Sequence, residues 1–97
     1  LKLKYSSKVI LHSVSGYTRE LDSLVEDFIR DGVKFVGVVG VDCAKLEDII
    51  DEIVVGDGTR NYNLLTSSHP NESLQQAISF AESLTDEFAG PVQVVEI

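Results

Sequence analysis

Positive charge is scarce in this sequence, and the later part of the chain has none. No Lys or Arg occurs from Asn61 to Ile97, and the 97 residues carry a formal net charge of −8. The only basic cluster is formed by Lys2, Lys4 and Lys8. Because nucleic-acid binding normally requires a basic surface that displaces counterions, we expect no nucleic-acid partner and no binding to an anionic membrane surface.

Cysteine is equally scarce. Cys43 is the only cysteine, so the chain cannot form an internal disulfide or a C-x-x-C redox pair. Together with His12 and His69 it offers too few ligands for a structural zinc site. We therefore predict no metal and no cofactor, and we expect a protein of the reducing cytoplasm.

Long apolar runs are missing as well. No segment reaches the ~18 apolar residues of a membrane span, and the first residues, LKLKYSS, lack the apolar core of a signal peptide. We predict a protein without membrane association that forms a single α/β domain over residues 1–97. Because the first residue is Leu1 and not Met, we expect a trimmed or partial chain.

The motifs of several common α/β proteins are also missing. The first predicted strand is followed by HSVSGYT and not by G-x-G-x-x-G, and no P-loop sequence occurs. Cys43 is followed by AKLEDII, without the arginine of a cysteine phosphatase. A phospho-receiver domain would need an acidic pair after the first strand and a lysine late in the chain. The sequence therefore gives no support to any of these functions.

What the sequence does contain is a regular alternation of strands and helices. The longest apolar run, KFVGVVGV, has no polar alternation, which indicates a strand buried on both faces. Such a β-α-β-α-β-α-β pattern predicts a parallel sheet with helices on both faces and right-handed crossovers. Strands are predicted at Lys8–Val14, Lys34–Val41, Asn61–Thr66 and Val92–Ile97, and helices at Tyr17–Asp31 and Cys43–Val55, with a third helix that begins between Ser67 and Pro70 and reaches Leu84.

Local signals predict how these elements begin and pack. Ser15 or Thr18 is predicted to cap the first helix, and Gly32 to end it in a left-handed conformation. Gly37 and Gly40 lie on opposite faces of the apolar strand, which predicts close approach of a helix on each side.

The strand order follows from which strands are polar. The second strand must be interior because both of its faces are apolar, whereas the third and fourth strands contain polar side chains that suit edges. This favours a four-stranded, mostly parallel sheet with three helices in three layers and the Rossmann-like order 3-2-1-4. The alternative is the flavodoxin-like order 2-1-3-4, which would leave the apolar strand at an edge.

Polar residues collect where the first three strands are predicted to end. Ligands of open parallel sheets bind beyond the carboxyl ends of the strands, and these strands are contiguous in both candidate orders. The predicted cluster consists of Ser13, Ser15, Asp42, Cys43, Thr66, Ser67, Ser68 and His69.

Two functions are compatible with this cluster. In the first, a non-enzymatic module binds a small anion through its hydroxyl groups and helix N–H groups, or a protein partner through the acidic face of the second helix. In this hypothesis Ser13, Ser15 and residues 66–68 are the ligand-binding residues, and the last strand, VQVVEI, offers an edge at which another copy could form a homodimer.

In the second hypothesis the protein is a small thiol-dependent enzyme. Cys43 would be the nucleophile, His69 its base, and Asp42 a further base or ligand. A cysteine thiolate is favoured at a helix N-terminus. The structural alternatives are that Cys43 is a small buried hydrophobic residue, that His69 caps a helix, and that Asp42 is the N-cap of the second helix.

Two segments carry a resemblance to a known family. VGVVGVDCAKLEDIIDEIVVGDG and LLTSSHPNESLQQAISFAESL resemble a family of small, uncharacterised bacterial α/β domains. The resemblance extends from the first helix to the last strand. It implies a bacterial cytoplasmic setting, but no activity and no site residues.

Overall fold

Four parallel strands form one sheet in a computed structural model that describes residues 3–97. The strands are β1 (Lys8–Ser13), β2 (Phe35–Gly40), β3 (Leu65–His69) and β4 (Val92–Glu96). They lie in the order β3-β2-β1-β4, and every neighbouring pair is parallel. The predicted α/β class and the order 3-2-1-4 are confirmed, and the flavodoxin-like order is wrong.

Three helices cover the two faces of this sheet: α1 (Glu20–Asp31), α2 (Cys43–Val55) and α3 (Leu74–Glu82). A short 3-10 turn, Asp86–Phe88, precedes β4. Since side chains alternate along a strand, β1 and β2 supply a core on each face. The core under α1 and α2 contains Val9, Leu11, Val36, Val38, Leu21, Val25, Phe28, Leu46 and Ile50, and the core under α3 contains Ile10, Phe35, Val39, Ala77 and Ala81. No helix within residues 3–97 is long and apolar enough to cross a membrane.

The glycines of β2 meet the neighbouring strand more closely than any helix. A Cβ on Gly37 would lie 3.0 Å from Ile10 Cδ1 and 3.0 Å from the Phe35 ring. A Cβ on Gly40 would lie 2.2 Å from the main-chain oxygen of Ser13, and Gly40 has a φ of +102°. The prediction that both glycines admit a helix is therefore wrong, and Gly40 allows β1 and β2 to approach at their carboxyl ends.

The start of the first helix differs from the prediction. α1 begins at Glu20, after Arg19, and no side chain caps it. The predicted caps Ser15 and Thr18 both precede that position. The end of the helix is as predicted, because Gly32 adopts a left-handed conformation with a φ of 76°.

The third strand and third helix both lie later in the chain than predicted. β3 runs from Leu65 to His69, and α3 begins only at Leu74. The helix starts there because Ser73 and Gln76 form a capping box, in which each side chain accepts a hydrogen bond from the main-chain N–H of the other. The predictions that a strand ends at Thr66 and that Pro70 opens the helix are wrong.

One carboxylate joins the end of α1 to the N-terminal segment, and we expect it to govern stability in acid. Asp31 accepts hydrogen bonds from the N–H groups of Lys4 (2.8 Å) and Tyr5 (3.0 Å), and Arg30 contacts it at 3.2 Å. Burial alone would raise the pKa of the Asp31 carboxyl, but these donors together hold its pKa below the ordinary value. A lowered pKa stabilises the folded state at neutral pH, and this stabilisation is lost as the pH falls through the folded-state pKa.

We therefore expect Asp31→Asn to reduce the loss of stability between about pH 7 and about pH 3, a range that spans the ordinary aspartate pKa. The measurement is urea unfolding at both pH values. Asp27→Asn is the control, because Asp27 contacts the same Arg30 at 3.0 Å but accepts no main-chain N–H among the hydrogen bonds of residues 3–97. If both variants lose as much stability in acid as the wild type, Asp31 does not govern the acid response.

Candidate functional site

An open pocket of about 370 Å³ lies at the carboxyl edge of the sheet, between β2 and β3. From β2 the chain enters α2 on one face, and from β3 it enters α3 on the other face. The two connections leave neighbouring strands in opposite directions and open a crevice, which is where open α/β sheets bind ligands. The pocket is lined by Gly40, Asp42, Cys43, Ala44, Lys45, Pro70 and Asn71.

The N-terminus of α2 forms one wall of this pocket and is not capped by a side chain. Asp42 occupies the predicted N-cap position, but it adopts a left-handed conformation (φ 56°) and its carboxylate makes no capping hydrogen bond. Within residues 3–97, the N–H groups of Cys43, Ala44 and Lys45 donate to no protein acceptor; the first helical bond is from Leu46 N–H to Asp42 O, at 2.9 Å. The positive end of the helix dipole is therefore exposed to the pocket.

Asp42 follows β2, and its side chain lies beside the end of β1 and the loop after it, which contain Ser13 and Ser15. A Cβ on Gly16 would lie 3.1 Å from Asp42 Oδ2, so this carboxylate lies against the β1–α1 loop. Ser13 is buried, and its hydroxyl accepts a hydrogen bond from Gly16 N–H at 3.1 Å. Ser15 is exposed, and its N–H donates to Ile97 O at 3.3 Å. Neither serine lines the pocket.

Cys43 and His69 lie on opposite faces of the sheet. Cys43 begins α2 as predicted, is 5% exposed and packs in the core under α1 and α2. His69 is also 5% exposed, but it lies on the α3 face, with its ring 5.1 Å from the ring of Phe80. It is the last residue of β3 and not, as predicted, a residue at a helix N-terminus.

Both ring nitrogens of His69 already have partners. The Ser67 hydroxyl lies 2.8 Å from Nε2, and Glu72 Oε1 lies 3.2 Å from Nδ1. No hydrogen bond joins Cys43 to His69 in the part of the chain that the structure describes. Catalysis by a Cys43–His69 pair stays a prediction that this geometry does not favour. The contacts of His69 instead hold the β3–α3 connection, which forms the second wall of the pocket.

The predicted row of hydroxyl groups on β3 is divided between the two faces of the sheet. Thr66 Oγ1 lies on the α2 side, 3.2 Å from Glu47 Oε2 and 2.8 Å from Asp51 Oδ1. Ser67 points to the other side, towards His69. Ser68 is half-buried within the strand. Because neighbouring residues of a strand point to opposite faces, residues 66–68 do not form one cradle for a ligand.

A comparison with known families shows where the chain belongs. A family model described as Domain of unknown function (DUF7684) matches residues 6–97. The chain belongs to this family. The DUF7684 match spans all four strands and three helices and confirms the predicted resemblance to a family of uncharacterised domains, whereas the bacterial setting stays a prediction. No curated protein and no solved structure matches the chain.

Several residues of the DUF7684 pocket were not anticipated from the sequence. Among residues 3–97, Lys45 is the only cation in its lining. Pro70 and Asn71 line it because β3 continues to His69 and then turns, with Asn71 in a left-handed conformation (φ 63°). The Pro-Asn pair is a turn signal, and the Ser73–Gln76 capping box marks the true start of the helix, so both features could have been found in the sequence.

Proposed function

We propose that this DUF7684 domain is a non-enzymatic module that binds a small anion in the pocket between β2 and β3. The observation that supports this most is the position of the pocket: it lies beyond the carboxyl ends of β2 and β3 and contains the uncapped N-terminus of α2. Three main-chain N–H groups without a protein acceptor in residues 3–97 border it, those of Cys43, Ala44 and Lys45. Helix N-termini of this kind bind phosphate, sulfate and carboxylate groups.

Lys45 strengthens the preference for an anion. Its side chain is exposed, and within residues 3–97 it forms no ion pair. Asp42 works against an anion because it brings a negative charge to the same wall, although its carboxylate lies against Gly16. We therefore expect a ligand with a compact anionic group and weak affinity for the inorganic ion alone.

The first test uses inorganic phosphate and two lysine variants. We expect phosphate to shift the NMR signals of the Cys43, Ala44 and Lys45 amides at constant ionic strength. Lys45→Gln should weaken phosphate binding about fivefold, since one nearby charge contributes about 1 kcal/mol. The matched control is Lys34→Gln. Lys34 is exposed and precedes β2, so it lies at the amino ends of the strands, whereas the pocket lies at their carboxyl ends. Equal weakening by both variants, or shifts elsewhere in the protein, would contradict the proposal.

Asp42→Asn provides the opposite change at the same site. Asn tolerates the left-handed conformation of this position, so the fold should be unaffected. Removal of the negative charge should tighten phosphate binding by a similar factor. A variant that binds phosphate no better than the wild type would mean that the ion does not occupy this wall of the pocket.

A further inference from the structure

β4 is an edge strand whose outer main-chain groups form no hydrogen bond within residues 3–97. It pairs only with β1. The N–H of Ile97, the next residue, donates to His12 O at 2.9 Å, and its carbonyl accepts from Val14 N–H at 2.7 Å, so both groups point towards β1. Main-chain groups alternate along a strand. The main-chain N–H and C=O groups of Gln93 and Val95 therefore point towards β1, like those of Ile97. The main-chain groups of the alternate residues point away from the sheet: Val92, Val94 and Glu96.

We propose that β4 pairs in an antiparallel manner with β4 of a second copy, around a two-fold axis at Val94. In this register Val94 faces Val94 of the other copy, and Val92 faces Glu96. All three facing pairs consist of outward-pointing residues, so each pair can exchange both of its N–H···O hydrogen bonds. The two sheets would then continue into one another. The pairing is the same from both sides, as a closed two-fold dimer requires.

The side chains of β4 are compatible with this register. Natural edge strands are usually blocked by Lys, Pro, a bulge or a covering segment. β4 contains neither Lys nor Pro, Val94 is 42% exposed, and no hydrogen bond of residues 3–97 uses the outward main-chain groups of β4. Glu96 is the only charged residue of the strand. The axis at Val94 sets it opposite Val92, which keeps like charges from facing each other directly.

The other edge of the sheet is less suited to a partner strand. The N–H of Leu65 donates to Lys34 O at 3.0 Å, so the main-chain groups of Leu65 point towards β2. The main-chain groups of Thr66 and Ser68 therefore point away from the sheet. The next outward position is Pro70, which has no N–H to donate. Thr66 is held by two carboxylates of α2. A second copy is therefore expected to use β4, which lies at the far edge from the anion pocket and leaves that pocket open.

Charge and size predict how this dimer behaves in solution. Each copy carries a net charge of −8, so the two copies repel each other, and salt should strengthen the dimer by screening this repulsion. The paired strand has five residues, from Val92 to Glu96. An interface built on so short a strand lies at the small, weak end of protein interfaces. We therefore expect a dimer that forms with rising protein concentration up to about 1 mM.

The test is to measure the molecular mass by sedimentation equilibrium and by light scattering across this concentration range, at low and at high salt. We expect the wild type to shift from monomer to dimer, and to shift further at high salt. Val94→Lys should keep the protein monomeric, because two lysines would face each other at the axis. Val55→Lys is the matched control: Val55 is 60% exposed at the end of α2, and this variant should dimerise at least as well as the wild type.

Hydrogen exchange locates the contact independently of mass. In the monomer the amides of Gln93 and Val95 should be protected and those of Val92, Val94 and Glu96 should exchange rapidly. The second set should gain protection as the concentration rises, by the factor that the dimer fraction predicts. A monomer at every concentration and salt level would overturn the proposal. So would a dimer that survives Val94→Lys, or one in which these three amides gain no protection.

Discussion

Gly40→Ala is expected to remove most of the stability of the folded state. The new Cβ would lie 2.2 Å from the main-chain oxygen of Ser13, a distance at which the backbone must move. β1 cannot move easily, because it pairs with β2 on one side and β4 on the other, and Ser13 O also accepts the N–H of Val41 at 2.9 Å. The φ of +102° adds strain of about 1–3 kcal/mol for any residue with a side chain.

We expect Gly40→Ala to lower the free energy of unfolding by about 4 kcal/mol or more, which is a large part of the 5–15 kcal/mol typical of a domain. Urea unfolding measures this change. Gly32→Ala is the control, since Gly32 has a φ of +76° but a Cβ there would meet nothing within 4 Å. Gly32→Ala should lower the free energy of unfolding by only about 1–2 kcal/mol, which is the cost of placing a residue with a Cβ in the left-handed conformation. Similar losses in the two variants would show that the β1–β2 contact at Gly40 adapts without cost.

Lys8→Ala is expected to have the second largest effect. Lys8 begins β1 and is only 1% exposed, so a long polar side chain is fully buried. Its Nζ donates to Ala81 O in the last turn of α3, at 2.7 Å. Truncation to Ala removes the packing of the four-carbon stem and leaves a cavity between β1 and α3. Losses of this kind cost about 2–5 kcal/mol, and we expect a value in that range from urea unfolding.

Lys8→Met separates the packing of the stem from the hydrogen bond of the ammonium group. Met keeps most of the volume and removes the need to bury a charge. Ala81 O is not left unpaired, because it also accepts the N–H of Leu84 at 3.3 Å. We therefore expect Lys8→Met to change the free energy of unfolding by about 1 kcal/mol or less. If Lys8→Met is as destabilising as Lys8→Ala, the hydrogen bond to α3 outweighs the packing.

The fold could be predicted because its signals are local and strong. KFVGVVGV lacks polar residues on either face, so only an interior strand of a parallel sheet accommodates it. The boundaries of β3 could not be read in the same way. The sequence predicts that the strand ends at Thr66 and that the third helix begins between Ser67 and Pro70, yet Thr66, Ser67 and Ser68 all lie within a strand at the edge of the sheet. Polar residues are tolerated there because they have hydrogen-bond partners: α2 supplies two carboxylates to Thr66, and His69, two residues further along the same strand, contacts Ser67.

The candidate site shows the same division. Cys43 and His69 both occur at the carboxyl ends of neighbouring strands, and this much follows from the order of the elements. They nevertheless belong to different faces of the sheet. Because β3 continues to His69, this residue is part of the strand, and the alternation of side chains along the strand places it on the α3 face.

The amino-acid sequence by itself determined the fold class, and it favoured the strand order that the structure has. These depend on the distribution of apolar residues, which is a property of whole segments. Only the tertiary structure decided which polar groups meet. It left the N–H groups of Cys43, Ala44 and Lys45 free of protein acceptors within residues 3–97, since the left-handed conformation of Asp42 keeps its carboxylate from capping them. Such contacts depend on single dihedral angles and on strand phase, which no pattern of residue types specifies.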